Sequence, residues 1–366
     1  MHAQKLSRSR RALACVLLSL SGCLLRPALA AEQVADPLVL PAEQSLRAQH
    51  SLQLALARAG DRLVAVGERG VVLLSDDAGA TWRQAASVPV SVTLTDVHFV
   101  SASEGWLVGH SGVVLHSGDG GEHWQLQLDG NQVARIILDD ARSHAATDSA
   151  EVRNAQRLVD DGPDKPLLGV RFVDARNGFV VGAYGIALAT TDGGGSWHSL
   201  VGRIPNPRGN HLYQIQIDAR RILIAGEQGV LFRSDDGGAS FHGLSVPYGG
   251  TFFGVLGMTG ERLLAYGLRG NAWRSEDGGS NWVKVDLGQP VTVTAGLRLG
   301  DGSLLLADES GRLLRSRDEG RSFSALPVHP GTGLTGIGEA RDGALVLSSA
   351  RGLARIELRE QLAGAQ

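Results

Sequence analysis

Apolar residues along this chain fall in short clusters separated by turns rich in glycine and polar side chains. Between residues 95 and 128 four clusters follow one another: Thr95–Val100, Gly105–Gly109, Val113–Ser117 and Trp124–Leu128. Each is about five residues long and alternates or runs apolar, which predicts strands. The unit then repeats. Six copies of Ser/Thr-x-Asp-x-Gly-x-x-Trp/Phe occur: Ser75-Asp77-Gly79-Trp82, Ser117-Asp119-Gly121-Trp124, Thr190-Asp192-Gly194-Trp197, Ser234-Asp236-Gly238-Phe241, Ser275-Asp277-Gly279-Trp282 and Ser316-Asp318-Gly320-Phe323. Their aromatic residues are 42, 73, 44, 41 and 41 positions apart. Seven residues before each Asp stands a glycine: Gly70, Gly112, Gly185, Gly229, Gly270 and Gly311. Gly352 continues the series with no box behind it.

A four-stranded unit of about 40 to 45 residues is a propeller blade. Counting units predicts an all-β fold, a seven-bladed β-propeller of Asp-box repeats. The last unit reads as three strands only, Leu334–Glu339, Leu345–Ser348 and Leu353–Ile356. A strand around Val34–Leu40 is predicted to complete it, clasping the chain ends and removing the last sheet edge. The predicted organisation is a signal peptide over 1–30, an N-terminal segment with the closing strand over 31–48, the propeller over 49–358 and a tail over 359–366. The one long interval places an insertion at about 131–166, between blades 2 and 3. It includes Ala134–Leu138 and Asp148–Asp160, and the second of these reads as helix.

The box has a structural reading. Asp77, Asp119, Asp192, Asp236, Asp277 and Asp318 are expected to accept backbone N–H bonds that a turn leaves unpaired, with the Ser or Thr hydroxyl assisting. The box Gly takes a backbone conformation closed to other residues. Trp82, Trp124, Trp197 and Trp282 are expected to fill apolar space between blades. An acid repeated at one offset in six blades is more than an active site requires.

Alternating connections separate two faces. The box joins third strand to fourth; the Gly turn joins second to third and projects from the opposite face, with the blade-to-blade connections. Loops on a rigid scaffold are where binding concentrates. The turn residues Arg69, His110, Tyr184, Gln228, Arg269 and Arg351 are therefore the candidate partner-binding positions. Arginine forks suit carboxylates, and Arg69 and Arg351 become neighbours once the ring closes. The competing reading is a solvated charged turn, with Glu68, Glu227 and Glu309 nearby. The insertion emerges on the same face, as a flap over the channel, one side of a groove, or a surface ornament.

Composition narrows the function. The 49 glycines among 366 residues are close to twice ordinary usage, as many tight turns require. Residues 1–11 carry Lys5, Arg8, Arg10 and Arg11 and no acid, and an apolar run follows from Ala12 to Leu25. That run is shorter than the roughly 20 residues of a spanning helix, and Pro27-Ala28-Leu29-Ala30 offers a small-residue cleavage site. Cleavage after Ala30 is the preferred reading. The other is lipid attachment at Cys23, in the lipobox-like Leu20-Ser21-Gly22-Cys23. Both export the chain, to a periplasm or a lumen. Cys15 and Cys23 are the only cysteines, so cleavage at Ala30 leaves none for disulfides, thiolate metal sites or nucleophiles. It also leaves 30 basic against 38 acidic side chains, a formal charge of −8 against −3 for the whole chain. That balance argues against general nucleic-acid binding. No metal-ligand spacing occurs among the histidines, and the glycine-rich box runs lack a phosphate-loop lysine. No metal, cofactor or membrane span is predicted, and a monomer is expected. His98, on a predicted inner strand, reads as a core histidine.

The boxes are the bacterial-neuraminidase repeat of sialidases, sortilin-type receptors and photosystem II stability/assembly factors. From Gln49 to Leu358 the chain resembles the last family. The likeness rests on seven blades, the Gly turn ahead of the box Asp, units such as Val180-Val181-Gly182-Ala183-Tyr184-Gly185, and no added catalytic domain. It implies an exported, non-catalytic protein that binds a protein partner, a membrane-protein subunit or complex under assembly. It also implies an arginine-bearing patch, for which Arg69, Arg269 and Arg351 are the residues that can be placed. Photosynthesis itself is only weakly implied, since relatives extend to non-photosynthetic bacteria. The alternative is a sialidase-like glycoside hydrolase. Arg203-Ile204-Pro205 resembles the sialidase Arg-Ile-Pro element, but it follows the third box instead of preceding the first. None of Tyr184, Tyr213, Tyr248 and Tyr266 stands in a context that marks a nucleophile with a partner carboxylate.

Overall fold

The computed structural model describes residues 35–358 except Asp148 and His329. The leader with Cys15 and Cys23, and the tail 359–366, lie outside the described residues. Seven antiparallel sheets follow one another along the chain, each ordered as its strands occur in sequence. Their first strands are Gln53–Ala59, Leu94–Phe99, Leu167–Phe172, Leu212–Asp218, Phe252–Gly257, Val293–Arg298 and Leu334–Glu339. Each touches the first strand of the next blade, and the last touches the first, so the seven form a closed ring. The apolar second and third strands, such as Leu63–Val66 with Val72–Leu74, supply the buried core of each blade.

In the box the hydroxyl is the buried centre and the carboxylate lies outside it. Ser117 Oγ donates to Asp119 at 2.9 Å and accepts the N–H of Gly121 at 2.9 Å. Ser75, Thr190, Ser234, Ser275 and Ser316 repeat both bonds. Each carboxylate accepts the backbone N–H of the residue four positions on and also bonds that residue's side chain. Through these bonds Thr81, Ser196 and Asn281 hold Asp77, Asp192 and Asp277 at about 2, well below the usual carboxylate range. Trp82, Trp124 and Trp282 donate Nε1 to the box Gly carbonyl at 3.2, 2.9 and 2.9 Å.

The residue just before each box Gly is left-handed: Ala78, Gly120, Gly193, Gly237, Gly278 and Glu319. In five of these boxes its carbonyl takes a side-chain donor from the preceding blade. Arg62 reaches Gly120 O at 3.2 Å, Arg233 reaches Gly278 O at 2.9 Å, and Arg274 reaches Glu319 O at 2.6 Å. Trp106 Nε1 and Gln127 Nε2 share Gly193 O, at 3.3 and 2.9 Å. Arg355 of blade 7 reaches Ala78 O of blade 1 at 2.9 Å, so the seam uses the same latch as four of the other junctions. Arg233, Arg274, Arg315 and Arg355 hold one register position, opposite Leu223, Leu264, Leu305 and Val346. Arg315 faces blade 7, which has no box, and turns instead to Ser303 Oγ and Asp301.

Among the described residues the expected closing strand does not form. Blade 7 has three strands, Leu334–Glu339, Leu345–Ser349 and Gly352–Ile356. Among the described residues, those at 35–50 form a turn and one short 3₁₀ segment. Pro37 and Pro41 remove two ladder donors. Asp36 folds the chain back instead, accepting the N–H of Leu38 at 3.0 Å on its side chain and those of Val39 and Leu40 on its carbonyl. The segment fastens to the connection between blades 1 and 2, through Ala42 N to Val88 O, Ser91 N to Pro37 O and Gln44 Nε2 to Ala85 O. Closure runs through packed blades: beside the Arg355 latch, Thr335 Oγ1 donates to Gln53 O at 2.6 Å.

First strands have no strand on their inner edge, so neighbouring side chains take up exposed N–H groups. Asp96 and His98 of blade 2 accept from Val170 and Phe172 of blade 3, at 3.0 and 3.2 Å. Gln214 and Gln216 of blade 4 accept from Val255 and Gly257 of blade 5, at 2.7 and 3.0 Å. His98 therefore works as an acceptor. Burial, with the Arg171 charge adding to it, lowers its pKa to about 3.

Two predictions follow from these junctions. Arg355→Met should lower stability by about 1–3 kcal/mol, the cost of losing a charged donor to a buried acceptor. Arg315→Met, which breaks no latch, should cost less; equal urea midpoints would refute the distinction. For His98 the folded pKa lies below the unfolded value near 6.5, so the unfolded chain binds the extra proton. Its contribution is full above about pH 6.5 and is lost as pH falls towards 3. From pH 6.5 to 5 the loss should be roughly 2 kcal/mol, and His98→Asn should flatten that slope in urea titrations.

Candidate partner-binding face

The second-to-third strand turns of blades 1–5 open with a glycine whose φ is extended, Gly67, Gly109, Gly182, Gly226 and Gly267. A Cβ on Gly67 would stand 2.0 Å from Leu52 O, and one on Gly267 2.1 Å from Thr251 O. Close approach explains this glycine. Positive φ belongs to the second glycine of the turn, Gly70, Gly112, Gly185, Gly229 or Gly270. The residue before it is left-handed too and is never glycine: Arg69, Ser111, Tyr184, Gln228 and Arg269, with φ between 54° and 57°. Such a conformation costs an ordinary L-residue roughly 1–2 kcal/mol.

All six candidate residues, Arg69, His110, Tyr184, Gln228, Arg269 and Arg351, are exposed at these turns. Arg69, Tyr184, Gln228 and Arg269 share the left-handed position. His110 stands one residue earlier, and Ser111 holds that position in blade 2. Arg351 differs: blade 7 makes a tighter hairpin, pairing Ser349 with Gly352, and Arg351 is not left-handed. Among the described residues Arg69, Arg269 and Arg351 form no ion pair. Arginines at the box end, such as Arg62, Arg233 and Arg274, are paired with carboxylates.

A second set of residues escaped the sequence reading. Every first strand bulges near its start, inserting Leu54, Thr95, Leu168, Tyr213, Phe253, Thr294 or Thr335. All seven are partly exposed and lie at the turn-face end of the innermost strands. Tyr213 and Phe253 meet edge to face at 5.2 Å, His211 stands 6.4 Å from Tyr213, and Tyr184 is 5.0 Å from His211. An aromatic path thus leads from the Tyr184 turn inward. The available signal was paired apolar residues where alternation is expected, Leu167-Leu168, Leu212-Tyr213 and Phe252-Phe253.

The insertion is a helical hairpin, α1 (Gly130–His144) and α2 (Ala150–Asp161), longer in helix than the sequence indicated. Asp129 and Gln132 form a capping box on α1, and Ser149 caps α2. Val133, Ile137, Ala141, Val152 and Ala155 pack into the cluster that holds Leu188 and Trp197 of blade 3. The hairpin forms one wall of a cleft of about 630 Å³, with Tyr184 and the loop 201–209 on the other side. Lys165, almost fully buried, pairs with Asp161 and Asp164 and stands 5.1 Å from the centre of the Tyr184 ring.

Sequence comparison bears on this architecture. A family model described as "Photosynthesis system II assembly factor YCF48" matches residues 79–138 and 149–248. Over 156 residues the chain is 31% identical to the photosystem II assembly protein Ycf48 of Synechococcus sp. (strain JA-2-3B'a(2-13)), covering 36% of this chain and 46% of that protein. The chain is related to the Ycf48 photosystem II assembly factors. It spans about half the length of that curated relative. Two solved structures share its fold. YCF48 bound to D1 peptide has a TM-score of 0.60 at 17% identity, covering 88% of this chain and 97% of that one. YCF48 from Cyanidioschyzon merolae has 0.62 at 15%, covering 87% and 99%.

The residues of the hydrolase alternative are dispersed in this Ycf48-related propeller. Arg203 is exposed and Ile204 buried in the connection between blades 3 and 4. Tyr266 is fully buried, and burial raises its pKa. Burial and then the Glu227 charge raise that of Tyr213, the wrong direction for a phenolate nucleophile. Among the described residues no three His, Cys, Asp or Glu side chains are placed to hold a metal ion, and no helix is long and apolar enough to cross a membrane.

If the left-handed turn residues are kept for what they present and not for stability, Arg69→Gly should not destabilise the fold. Relief of strain exceeds the added chain entropy, for a net gain of about 0–1 kcal/mol. A lower urea midpoint for Arg69→Gly would show that the side chain supports the turn.

Proposed function

We propose that this chain is an exported, non-catalytic propeller that holds a protein partner on its turn face, as an assembly or stability factor for a membrane-protein complex. One observation carries the reading. Arg69, Arg269 and Arg351 stand exposed on that face without an ion partner among the described residues, and two of them occupy left-handed positions. The opposite face is turned inward chemically: its box acids and its Arg62, Arg233 and Arg274 are bonded within the protein. A surface of unpaired guanidinium groups beside an aromatic path fits a polypeptide with carboxylates and apolar side chains. The relationship to Ycf48, one of whose structures carries a D1 peptide, supports the same class of partner.

In this reading His110, Tyr184 and Gln228 widen the contact, the six box Asp residues are structural, and the protein acts as a monomer. Cleavage after Ala30 delivers it to a periplasm or lumen. The domain limits proposed are 1–30 for the leader, 49–358 for the ring and 131–166 for the insertion.

The test is cross-linking in the native host of the chain beginning at Ala31, beside Arg69→Glu/Arg351→Glu. One membrane-protein partner, captured by the native protein and lost in the double variant, is the expected result. Capture of none, together with release of a reporter from a sialoside or other glycoside, would replace this reading with the hydrolase.

A further inference from the structure

Tyr184, the left-handed residue of the blade 3 turn, is held by a group that can change its charge. Its backbone N–H donates to His211 Nδ1 at 3.0 Å. His211 stands just before the first strand of blade 4. A ring nitrogen that accepts an N–H carries no proton, so this imidazole is the neutral form with its hydrogen on Nε2. Thr292 holds the same place before blade 6. Its hydroxyl accepts the N–H of Arg269, the left-handed residue of the blade 5 turn, at 3.4 Å. At both junctions an acceptor meets the N–H of a strained turn. A hydroxyl offers that acceptor at any pH; an imidazole offers it only while Nδ1 is bare.

In the imidazolium both ring nitrogens are donors, so no rotation of the ring lets it accept the Tyr184 N–H. A second partner is already within reach. Glu227 Oε1, on the blade 4 turn, accepts the His211 backbone N–H at 2.9 Å and stands 3.5 Å from Nδ1. A proton on Nδ1 therefore trades the Tyr184 contact for one with Glu227. The other titratable or charged groups around the ring are Tyr184 itself, at 5.0 Å, and Tyr213, two residues on, at 6.4 Å. Lys165 stands over the Tyr184 ring, 5.1 Å from its centre, and Arg208 lies on the loop that leads to His211. Glu227 is the one acid in this group. The His211 side chain is 33% exposed, so solvent protons reach it. Histidine is the side chain that ordinarily gains its charge between about pH 8 and about pH 5.

We infer that His211 is a proton-sensitive positioning residue of the turn face: neutral, it fixes the Tyr184 turn; protonated, it releases the Tyr184 N–H, turns to Glu227 and loosens the hold on a partner. Tyr184 begins the aromatic path that runs inward through His211 and Tyr213 to Phe253, so its release frees the outer end of that path. The effect on a partner rests on the reading that this face holds a polypeptide. The change in the turn does not.

The chain has four tyrosines, so protein isotope-labelled only at its tyrosine nitrogens gives four backbone amide signals by NMR. Tyr184→Phe identifies the Tyr184 signal by its loss. Between about pH 7.5 and about pH 5.5 that signal should move along a single-proton titration curve. The signals of Tyr248 and Tyr266, in and beside blade 5, should stay in place, with circular dichroism checking the fold at both ends. His211→Asn keeps an acceptor oxygen where Nδ1 lies but takes up no proton; it should preserve the turn and abolish the movement. A Tyr184 signal that stays fixed, or that moves equally in His211→Asn, overturns the inference. The cross-linking experiment, repeated at the two pH values, reads the consequence: capture should fall at the lower pH for the native chain and hold for His211→Asn. Equal capture by the native chain at both values overturns the link to binding. Capture of no partner at either pH, with a Tyr184 signal that titrates, would remove the partner reading and keep the switch in the turn.

Discussion

A single peptide carbonyl, presented by a left-handed residue in the box, fastens five of the seven junctions that close the ring. The box hydroxyl and carboxylate fix the turn, the turn aims the carbonyl, and a donor on the previous blade meets it. The local motif therefore has a long-range consequence. A four-stranded blade cannot bury both of its faces alone, and this contact joins one blade to the next at five of the seven junctions. The carboxylate's own bonds go to shaping the turn.

The same logic accounts for the seam. Blade 7 has neither a box nor a fourth strand among the described residues, yet it carries Arg355, which is all that the latch onto the following blade requires. What blade 7 lacks is felt on its other side, where Arg315 has no box carbonyl to reach and settles on Asp301 and Ser303. The N-terminal segment adds a strap over the first blade-to-blade connection without entering a sheet.

Much of the fold was legible because box and turn recur together at nearly constant spacing, and repetition converts weak local signals into a count of blades. The helix in the insertion was legible from its composition, but its capping residues Asp129 and Ser149 were passed over. The closing strand was inferred from the need for a fourth strand, against Pro37 and Pro41, which were visible. The latch was not legible: Arg233, Arg274 and Arg355 read as surface charges until the register shows which way they point. The bulge residues of the first strands were hidden because a bulge shifts the side-chain period by one residue, as at Tyr213 and Phe253. The face that carries the candidate arginines followed from strand alternation alone. The tighter hairpin that sets Arg351 apart did not, because it depends on the pairing of Ser349 with Gly352.

Because no strand is exchanged across the seam among the described residues, order along the chain and order around the ring are separable. Gln53 and Thr335 are 282 residues apart in sequence and hydrogen-bonded in space. Six junctions have a covalent tether; the one between blades 7 and 1 has none. A molecule that engages Arg351 and Arg69 together spans that untethered junction, so its binding free energy also resists opening of the ring. Occupancy and ring integrity are then thermodynamically linked, and a loaded propeller outlasts an empty one.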